Sequence, residues 1–274
     1  MSGYILCQTK KAEHPYFITN ISMNIYSIEE LCYYLYHNLY LADDTVFNEE
    51  LCSWIDEELE LPVLAAKLRK NMERNAGAED MLYPVFKEIN YLTYEEMKKL
   101  NSRLTVMSSE RAAVRQKRKG DSLIENGMYV NAIQVYQKIL ERGDLDEQRR
   151  GFEASVRYNL GCAYSYLFQM EKAEECFLMS YRKEHSLKSL QAYLLARKSI
   201  QKDTDYDKVM KELETEENMR NEVKENIKQS LNAFAAIPEK KTEEKNLDTV
   251  LETITKEYHR STGCCSRYCS LRSQ

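Results

Sequence analysis

The C-terminal end of the chain holds the residues best suited to binding a metal ion. His259, Cys264, Cys265 and Cys269 all lie within residues 259–274, and Cys and His side chains are the usual ligands of structural zinc. The spacing H-x4-C-C-x3-C fits no standard zinc site, because adjacent cysteines are poorly placed for tetrahedral coordination. We therefore expect a disordered tail with exposed thiols and assign no metal ligand; a disulfide formed under oxidation is the alternative.

Adjacent carboxylates are the next candidates for chemistry. They form three pairs, Asp43–Asp44, Glu49–Glu50 and Glu57–Glu58. Neighbouring residues of a helix point about 100° apart and do not face each other, so these pairs predict solvated faces and not acid–base pairs. His37 has no second histidine at a metal-ligand offset, and the chain contains no GxxxxGK[ST], GxSxG or HExxH motif. The sequence therefore predicts a protein that is not an enzyme.

The densest basic run, RAAVRQKRK at residues 111–119, is the candidate for contact with phosphate groups. It has no interleaved aromatic residues, and the formal charge of the chain is −5. Both features argue against nucleic acid as a partner, since such sites combine clustered positive charge with stacking side chains. No apolar run approaches the ~20 residues of a membrane span, and MSGYILCQTKK does not resemble a secretion signal. We therefore expect a cytoplasmic protein.

Few helix breakers and regular apolar spacing predict that helices position these residues. The chain has only 8 Gly and 4 Pro in 274 residues, against a typical usage of about 7% and 5%. Capping boxes follow Ser27 (SIEE) and Thr93 (TYEE), and Asn48 is a further helix start. The runs Tyr4–Cys7 and Pro15–Ile18 favour β-structure and could pair as a small hairpin around the turn TKKAEH, packed on a helix.

The helix that follows Ser27 is apolar or aromatic around most of its circumference. Its aromatic residues are Tyr33, Tyr34, Tyr36 and Tyr40. Such a helix is either deeply buried or presents a binding face. We expect burial, because core packing is the commoner role of apolar stripes.

Two segments further along the chain share one pattern of glycine, alanine and aromatic residues. The members are Gly120, Ala132 and Tyr136 in the first segment, and Gly161, Ala173 and Phe177 in the second. The spacing within each set of three is the same. Small residues at these positions predict a close approach of two antiparallel helices, and the aromatic residues are expected to fill the space towards the next unit.

This pattern resembles the tetratricopeptide repeat (TPR), a helix-turn-helix unit of about 34 residues. The resemblance covers about residues 113–187, as units 113–146 and 154–187, and a degenerate continuation with Ala196 near the glycine position reaches about residue 215. The two glycines are 41 positions apart, and we place the surplus in the segment LDEQRRG. Because two units rarely suffice for stability, we expect one long helix from Asp205 to cap the array.

The TPR resemblance implies a concave groove, lined by the first helices of successive units, that binds a protein or peptide. The groove positions of this sequence are Lys117, Arg118 and Asp121 in the first unit, and Tyr158, Asn159 and Tyr166 in the second, together with Ile124, Glu125, Ser155 and Cys162. Some family members hold a partner's terminal carboxylate with a lysine and asparagines, which Lys117 and Asn159 match. Asp121 replaces one asparagine and would repel a carboxylate, so we expect a peptide with acidic and apolar side chains instead.

The sequence therefore predicts an all-α fold whose antiparallel helix pairs form a short repeat array. Residues 1–108 are an N-terminal helical domain with no family resemblance, and residues 109–237 hold the repeats and their capping helix. Residues 238–258 are a linker and an amphipathic helix, followed by the cysteine-containing tail, 259–274.

The TPR resemblance implies a non-enzymatic adaptor or scaffold that binds a partner protein or peptide and needs no cofactor. One alternative is a regulator whose N-terminal helices bind another macromolecule while the repeats sense a peptide. The other is a metal- or redox-responsive protein that acts through the tail cysteines. The partner, the pathway and the oligomeric state are not specified by the sequence.

Overall fold

The computed structural model describes residues 9–142 and 151–235, which are mostly helical. The chain divides into two compact units, Met1–Lys224 and Glu225–Gln274. The helices in the described residues are α1 (Ile28–His37), α2 (Glu49–Glu57), α3 (Pro62–Glu73), α4 (Ala78–Glu88), α5 (Tyr94–Ser109), α6 (Ala112–Glu125), α7 (Tyr129–Arg142), α8 (Phe152–Tyr166), α9 (Met170–Glu184), α10 (Leu187–Ile200), α11 (Tyr206–Glu212) and α12 (Glu217–Ala235). The predicted all-α fold is confirmed. None of these helices is both long and apolar enough to cross a membrane.

A two-stranded hairpin precedes the first helix. Strand β1 (Tyr16–Ile18) pairs antiparallel with β2 (Met23–Ile25). Ile18 and Ile25 are buried, and the hydroxyl of Tyr16 donates to the carbonyl of Val46 over 3.0 Å. A hairpin that contains Pro15–Ile18 was predicted, but β2 was not predicted as its second strand. The run Met23–Ile25 is very short and directly follows a tight turn. The expected strand Tyr4–Cys7 lies outside the described residues.

The predicted helix starts are confirmed by hydrogen bonds at the caps. The side chains of Ser27 and Asn48 each accept a bond from the backbone N–H three residues on, at 3.2 and 2.9 Å, and Thr93 forms a complete capping box with Glu96. Such a cap contributes about 1 kcal/mol to helix stability.

The tyrosine-rich helix α1 is buried on one side only. Its buried side consists of Ile28, Glu29, Leu31, Cys32, Tyr34 and Leu35. Tyr33 is 58% exposed, and Tyr36 and Tyr40 are partly exposed. The expectation of burial was therefore right for Tyr34 and wrong for Tyr33.

Three polar contacts join the segment that follows α1 to the C-cap of α5 and to α6. The hydroxyl of Tyr40, in the 3-10 turn Leu39–Leu41, donates to Glu110 Oε2 over 3.0 Å. Asn126 Nδ2 donates to Asn38 Oδ1 over 2.8 Å, and Lys119 forms an ion pair with Asp43. The domain boundary predicted after residue 108 falls at the end of α5 and stays a prediction.

The repeat region contains the packed helix pairs α6–α7 and α8–α9, each joined by a short turn, followed by α10, which packs on α9, and by the short helix α11. A Cβ atom on Gly120 would lie 2.5 Å from Tyr136 Cε1, and one on Gly161 would lie 2.7 Å from Phe177 Cε1. The predicted close approach at the glycines is therefore confirmed. The aromatic rings lie against the glycine of their own unit, however, and not only towards the next unit as expected.

The end of the array differs from the sequence-based expectation. The long helix expected from Asp205 is interrupted between α11 and α12, where Glu214 takes a φ of +52°. The buried side chain of Thr215 lies within hydrogen-bond distance of the Tyr181 hydroxyl, at 3.2 Å. This contact holds Thr215 in place at the point where the expected helix is interrupted. The surplus segment LDEQRRG lies mostly, and the region 238–274 entirely, outside the described residues.

Candidate functional site

Helices α6, α8 and α10 bring a set of polar and aromatic side chains to one surface. Asn159 on α8 contacts Asp121 on α6, and Lys188 on α10 lies over the ring of Tyr158 on α8. We call the surface formed by Lys117, Asp121, Tyr158, Asn159 and Lys188 the repeat groove.

The carboxylate of Asp121 is the centre of a hydrogen-bond network in the repeat groove. Its Oδ1 accepts bonds from the Tyr136 hydroxyl (2.6 Å) and from Asn159 Nδ2 (2.7 Å), and its Oδ2 lies 2.8 Å from Lys117 Nζ. Burial and the neighbouring Asp121 raise the pKa of the Tyr136 hydroxyl, which therefore stays a hydrogen-bond donor. The network joins α6, α7 and α8, and it satisfies both carboxylate oxygens from within the chain.

Tyr158 and Lys188 form a second, more open part of the repeat groove. Lys188 Nζ lies 4.3 Å from the centroid of the Tyr158 ring, which packs 5.4 Å from the ring of Phe177. Burial raises the pKa of the Tyr158 hydroxyl and also that of the adjacent Cys162 thiol. A protonated thiol is a weak nucleophile. Within residues 9–142 and 151–235, no carboxylate lies within ion-pair distance of Lys188.

Two of the predicted groove residues lie apart from the others. Arg118 is exposed and turns towards the N-terminal helices, with its Nε 3.8 Å from Glu110 Oε1. Tyr166 is exposed at the end of α8, where its ring stacks on Tyr129 with centroids 4.5 Å apart. The structure thus brings Lys117, Asp121 and Asn159 into one network and places Tyr158 beside it, whereas Arg118 and Tyr166 make their contacts elsewhere.

Sequence reasoning missed two members of this site. Lys188 falls one residue before the degenerate third unit and was not assigned a groove position. Tyr136 was assigned to packing alone, although a buried tyrosine usually has a hydrogen-bond partner. That rule, applied to a Tyr136 that packs on α6, would have pointed to Asp121 as the acceptor.

A metal centre is not formed by the described residues. Within residues 9–142 and 151–235, no three His, Cys, Asp or Glu side chains are arranged to hold a metal ion. His259, Cys264, Cys265 and Cys269 lie outside these ranges, so the tail hypothesis stays a prediction.

Comparison with known proteins supports the repeat assignment in the second helix pair. A family model for the tetratricopeptide repeat matches residues 154–178, which lie in α8 and α9 and include Gly161, Ala173 and Phe177. No curated protein and no solved structure gives a significant match. The chain therefore carries a tetratricopeptide repeat in this segment, within an array of packed helix pairs.

Proposed function

We propose that the chain is a non-enzymatic adaptor that binds a partner protein through the repeat groove. The repeat in α8 and α9 supports a role in protein–protein interaction. The observation that carries the proposal is the pair Lys188 and Tyr158, in which a cation that has no ion-pair partner among the described residues lies 4.3 Å from the centroid of a half-buried aromatic ring. Aromatic and cationic side chains together are typical of the residues that dominate binding energy at interfaces.

The chemistry of this pair specifies the kind of partner. An acidic side chain of a peptide can pair with Lys188, and an adjacent apolar side chain can pack on the exposed part of the Tyr158 ring. Lys117 and Asn159 are less available to a ligand, because both already donate to Asp121. The proposed ligand is therefore a peptide segment with an acidic residue beside an apolar one, and not a terminal carboxylate held by Lys117 and Asn159.

The regulator hypothesis remains a second candidate because of the exposed side of α1. Tyr33 and Tyr36 lie on that side together with His37, so the N-terminal helices have a surface for a further macromolecule. The metal- or redox-responsive hypothesis rests on the sequence of the tail alone, and the cytoplasmic location also stays an expectation from sequence.

A matched pair of lysine variants tests the adaptor proposal. Lys188→Glu reverses the charge in the groove, whereas Lys172→Glu reverses that of a lysine on α9 whose Nζ lies 5.3 Å above the Tyr164 ring. Wild type and both variants are applied to an array of synthetic peptides that places Asp or Glu beside Leu or Phe, with lysine-substituted peptides as controls. We expect Lys188→Glu to weaken binding of the acidic peptides about tenfold or more, and Lys172→Glu to bind like wild type.

The outcome that contradicts the proposal is equally clear. If the array shows no preference for acidic peptides, or if both lysine variants bind alike, the repeat groove is not the binding surface. Urea unfolding of each variant separates loss of binding from loss of folding, since both lysines are exposed and neither substitution should move the midpoint.

A further inference from the structure

The exposed side of α1 and the following turn carry a stripe of ring-bearing residues with helical spacing. Tyr33, Tyr36, His37 and Tyr40 follow the pattern i, i+3, i+4, i+7. The rings of Tyr33 and His37 lie 4.4 Å apart, and those of Tyr36 and His37 lie 5.3 Å apart. These contacts join Tyr33, Tyr36 and His37, and Tyr40 follows in the 3-10 turn, where it lines a cavity.

This cavity separates the 3-10 turn from the C-terminal half of α5. Its volume is about 250 Å³, and its lining consists of Leu39, Tyr40, Ser102, Arg103, Val106 and Met107. We call it the α1–α5 groove. Val106 is 55% exposed although it lies on the side of α5 that faces the turn. Small-molecule sites usually enclose about 300–1,000 Å³, so the cavity suits one or two apolar side chains better than a whole small ligand.

The charge at the edge of the α1–α5 groove is positive. Arg103 Nη1 donates to the carbonyl of Tyr36 over 2.9 Å, and its guanidinium lies 5.6 Å from the ring of that tyrosine. In the described part of the chain, no carboxylate lies within ion-pair distance of Arg103. Glu110, the nearby acid, already accepts a bond from Tyr40 and lies near Arg118. The groove thus combines an apolar floor with one unpaired cation.

We propose that the α1–α5 groove binds an acidic amphipathic helix of a partner protein. An apolar side chain of that helix fills the cavity against Val106 and Met107, and a neighbouring Asp or Glu pairs with Arg103. Grooves between two helical ridges are a common site for amphipathic helices, whose apolar residues recur every three or four positions. One ridge is the C-terminal end of α1 with the 3-10 turn, whose Leu39 and Tyr40 line the cavity and whose Tyr36 contacts Arg103; the other is α5 with Ser102, Arg103, Val106 and Met107.

A protein helix fits this surface better than a single-stranded nucleic acid. Such nucleic acids bind in positively charged grooves that follow the phosphate backbone, whereas this groove has an apolar floor and Arg103 as its unpaired cation. The proposal does not depend on the repeat groove, which is built from α6, α8 and α10. If both surfaces bind, the chain holds two partners at once.

The test uses the full chain and a phage-displayed library of amphipathic helices with randomised surface positions. Val106→Asp places a charge in the α1–α5 groove, and Val63→Asp places one at a valine on α3 that is 79% exposed. We expect selection on wild type to enrich sequences with an acidic residue beside leucine or phenylalanine. A synthetic peptide of the most enriched sequence should bind Val63→Asp like wild type and Val106→Asp about tenfold more weakly. Wild type should bind this peptide more tightly than a control peptide in which lysine replaces the acidic residue, and Arg103→Gln should abolish that difference.

Several results would overturn the proposal. These are no enrichment, enrichment without acidic residues, or equal binding by the two valine variants. A dimer of the chain that Val106→Asp dissociates in sedimentation would assign the groove to a second copy instead. Binding of a single-stranded RNA oligonucleotide that Val106→Asp abolishes would assign it to nucleic acid. Because the lysine variants of the repeat groove are not used, failure here leaves the proposed function standing.

Discussion

The first two helix pairs share one backbone plan but use equivalent positions for different purposes. The equivalent residues, 41 positions apart, are Lys117 and Tyr158, Asp121 and Cys162, and Tyr136 and Phe177. In α6–α7 these side chains bond to one another through the Asp121 carboxylate. In α8–α9 they form an aromatic surface with no carboxylate, and a lysine from the next pair lies over it.

The difference shows that the repeat pattern specifies packing but not the use of the groove. The glycine and alanine positions are alike in both pairs, so both pairs close in the same way. The groove positions are free to vary, and the first pair uses them to hold α6, α7 and α8 together. In the second pair these positions form no such network, and this is the pair to which we assign the ligand in the proposed function.

Removal of the Asp121 carboxylate should have the largest effect. Asp121→Ala leaves the Tyr136 hydroxyl, Asn159 and Lys117 without their acceptor, and we expect the free energy of unfolding to fall by about 2–4 kcal/mol. The equivalent Cys162→Ala should cost less than about 1 kcal/mol. Urea unfolding of both variants measures the two costs. If the two variants lose similar amounts of unfolding free energy, the polar network does not stabilise the first helix pair more than the second.

Substitution of the two glycines should also destabilise the first helix pair more than the second, but by a smaller amount. We expect Gly120→Ala to cost about 2 kcal/mol and Gly161→Ala about 1 kcal/mol, because the added methyl group overpacks the ring opposite. The Tyr136 ring is held in place by its bond to Asp121, whereas the Phe177 ring has no such anchor and can move. Thermal unfolding compares the two variants. In a double-mutant cycle, Tyr136→Phe should reduce the cost of Gly120→Ala; an unchanged cost contradicts the anchoring role.

Asp121→Asn should give the first pair a binding function. The amide oxygen still accepts bonds from Tyr136 and Asn159 but the side chain no longer neutralises Lys117, so Lys117 becomes available to a carboxylate. We expect the variant to bind a peptide with a free terminal carboxylate about tenfold more tightly than the same peptide with a terminal amide. Wild type should show no such preference. Fluorescence anisotropy with the two peptides measures it, and equal binding by the variant would show that Asp121 is not what closes this site.

The smallest effect concerns the ion pairs that hold the second helix pair together. Burial alone would raise the pKa of Glu153, but its ion pairs with Lys183 and Arg157, each at 2.8 Å, outweigh this and hold the pKa below its usual value. Their stabilisation is therefore present at neutral pH and is lost as the pH falls through the lowered pKa. We expect Glu153→Gln to cost about 0.5–1 kcal/mol at neutral pH.

The control for this prediction is the pH dependence itself. The difference between wild type and Glu153→Gln should shrink in acid, where both side chains are uncharged. Urea unfolding across the acidic range checks this. A difference that stays constant with pH would mean that Glu153 acts through packing and not through charge.

The sequence predicted the parts of the fold that depend on local chemistry. Caps at Asn48 and Thr93 and the glycine–aromatic spacing each depend on a few neighbouring residues, and the structure has them where they were expected. The interruption before α12 was not predicted, because the apolar spacing continues through it while Thr215 is fixed by Tyr181 from another helix.

The candidate site was harder to predict than the fold for the same reason. The repeat positions predicted that Lys117, Asp121 and Asn159 share a surface, and in the structure Lys117 and Asn159 both contact Asp121. That Asp121 binds the other two depends on the distance between α6 and α8, which no local pattern specifies. Lys188 reaches Tyr158 because α10 packs on α9, the helix that is paired with α8.

The hydrogen bond from Tyr40 to Glu110 has a consequence for how the two proposed surfaces communicate. Tyr40 lines the α1–α5 groove, and Glu110 is also within reach of Arg118 on α6, the helix that carries Lys117 and Asp121. If a ligand at Tyr40 changes affinity in the repeat groove, thermodynamic linkage requires the same factor in the reverse direction. Tyr40→Phe removes the bond to Glu110 but keeps the ring that lines the α1–α5 groove, so it tests whether the two surfaces are coupled.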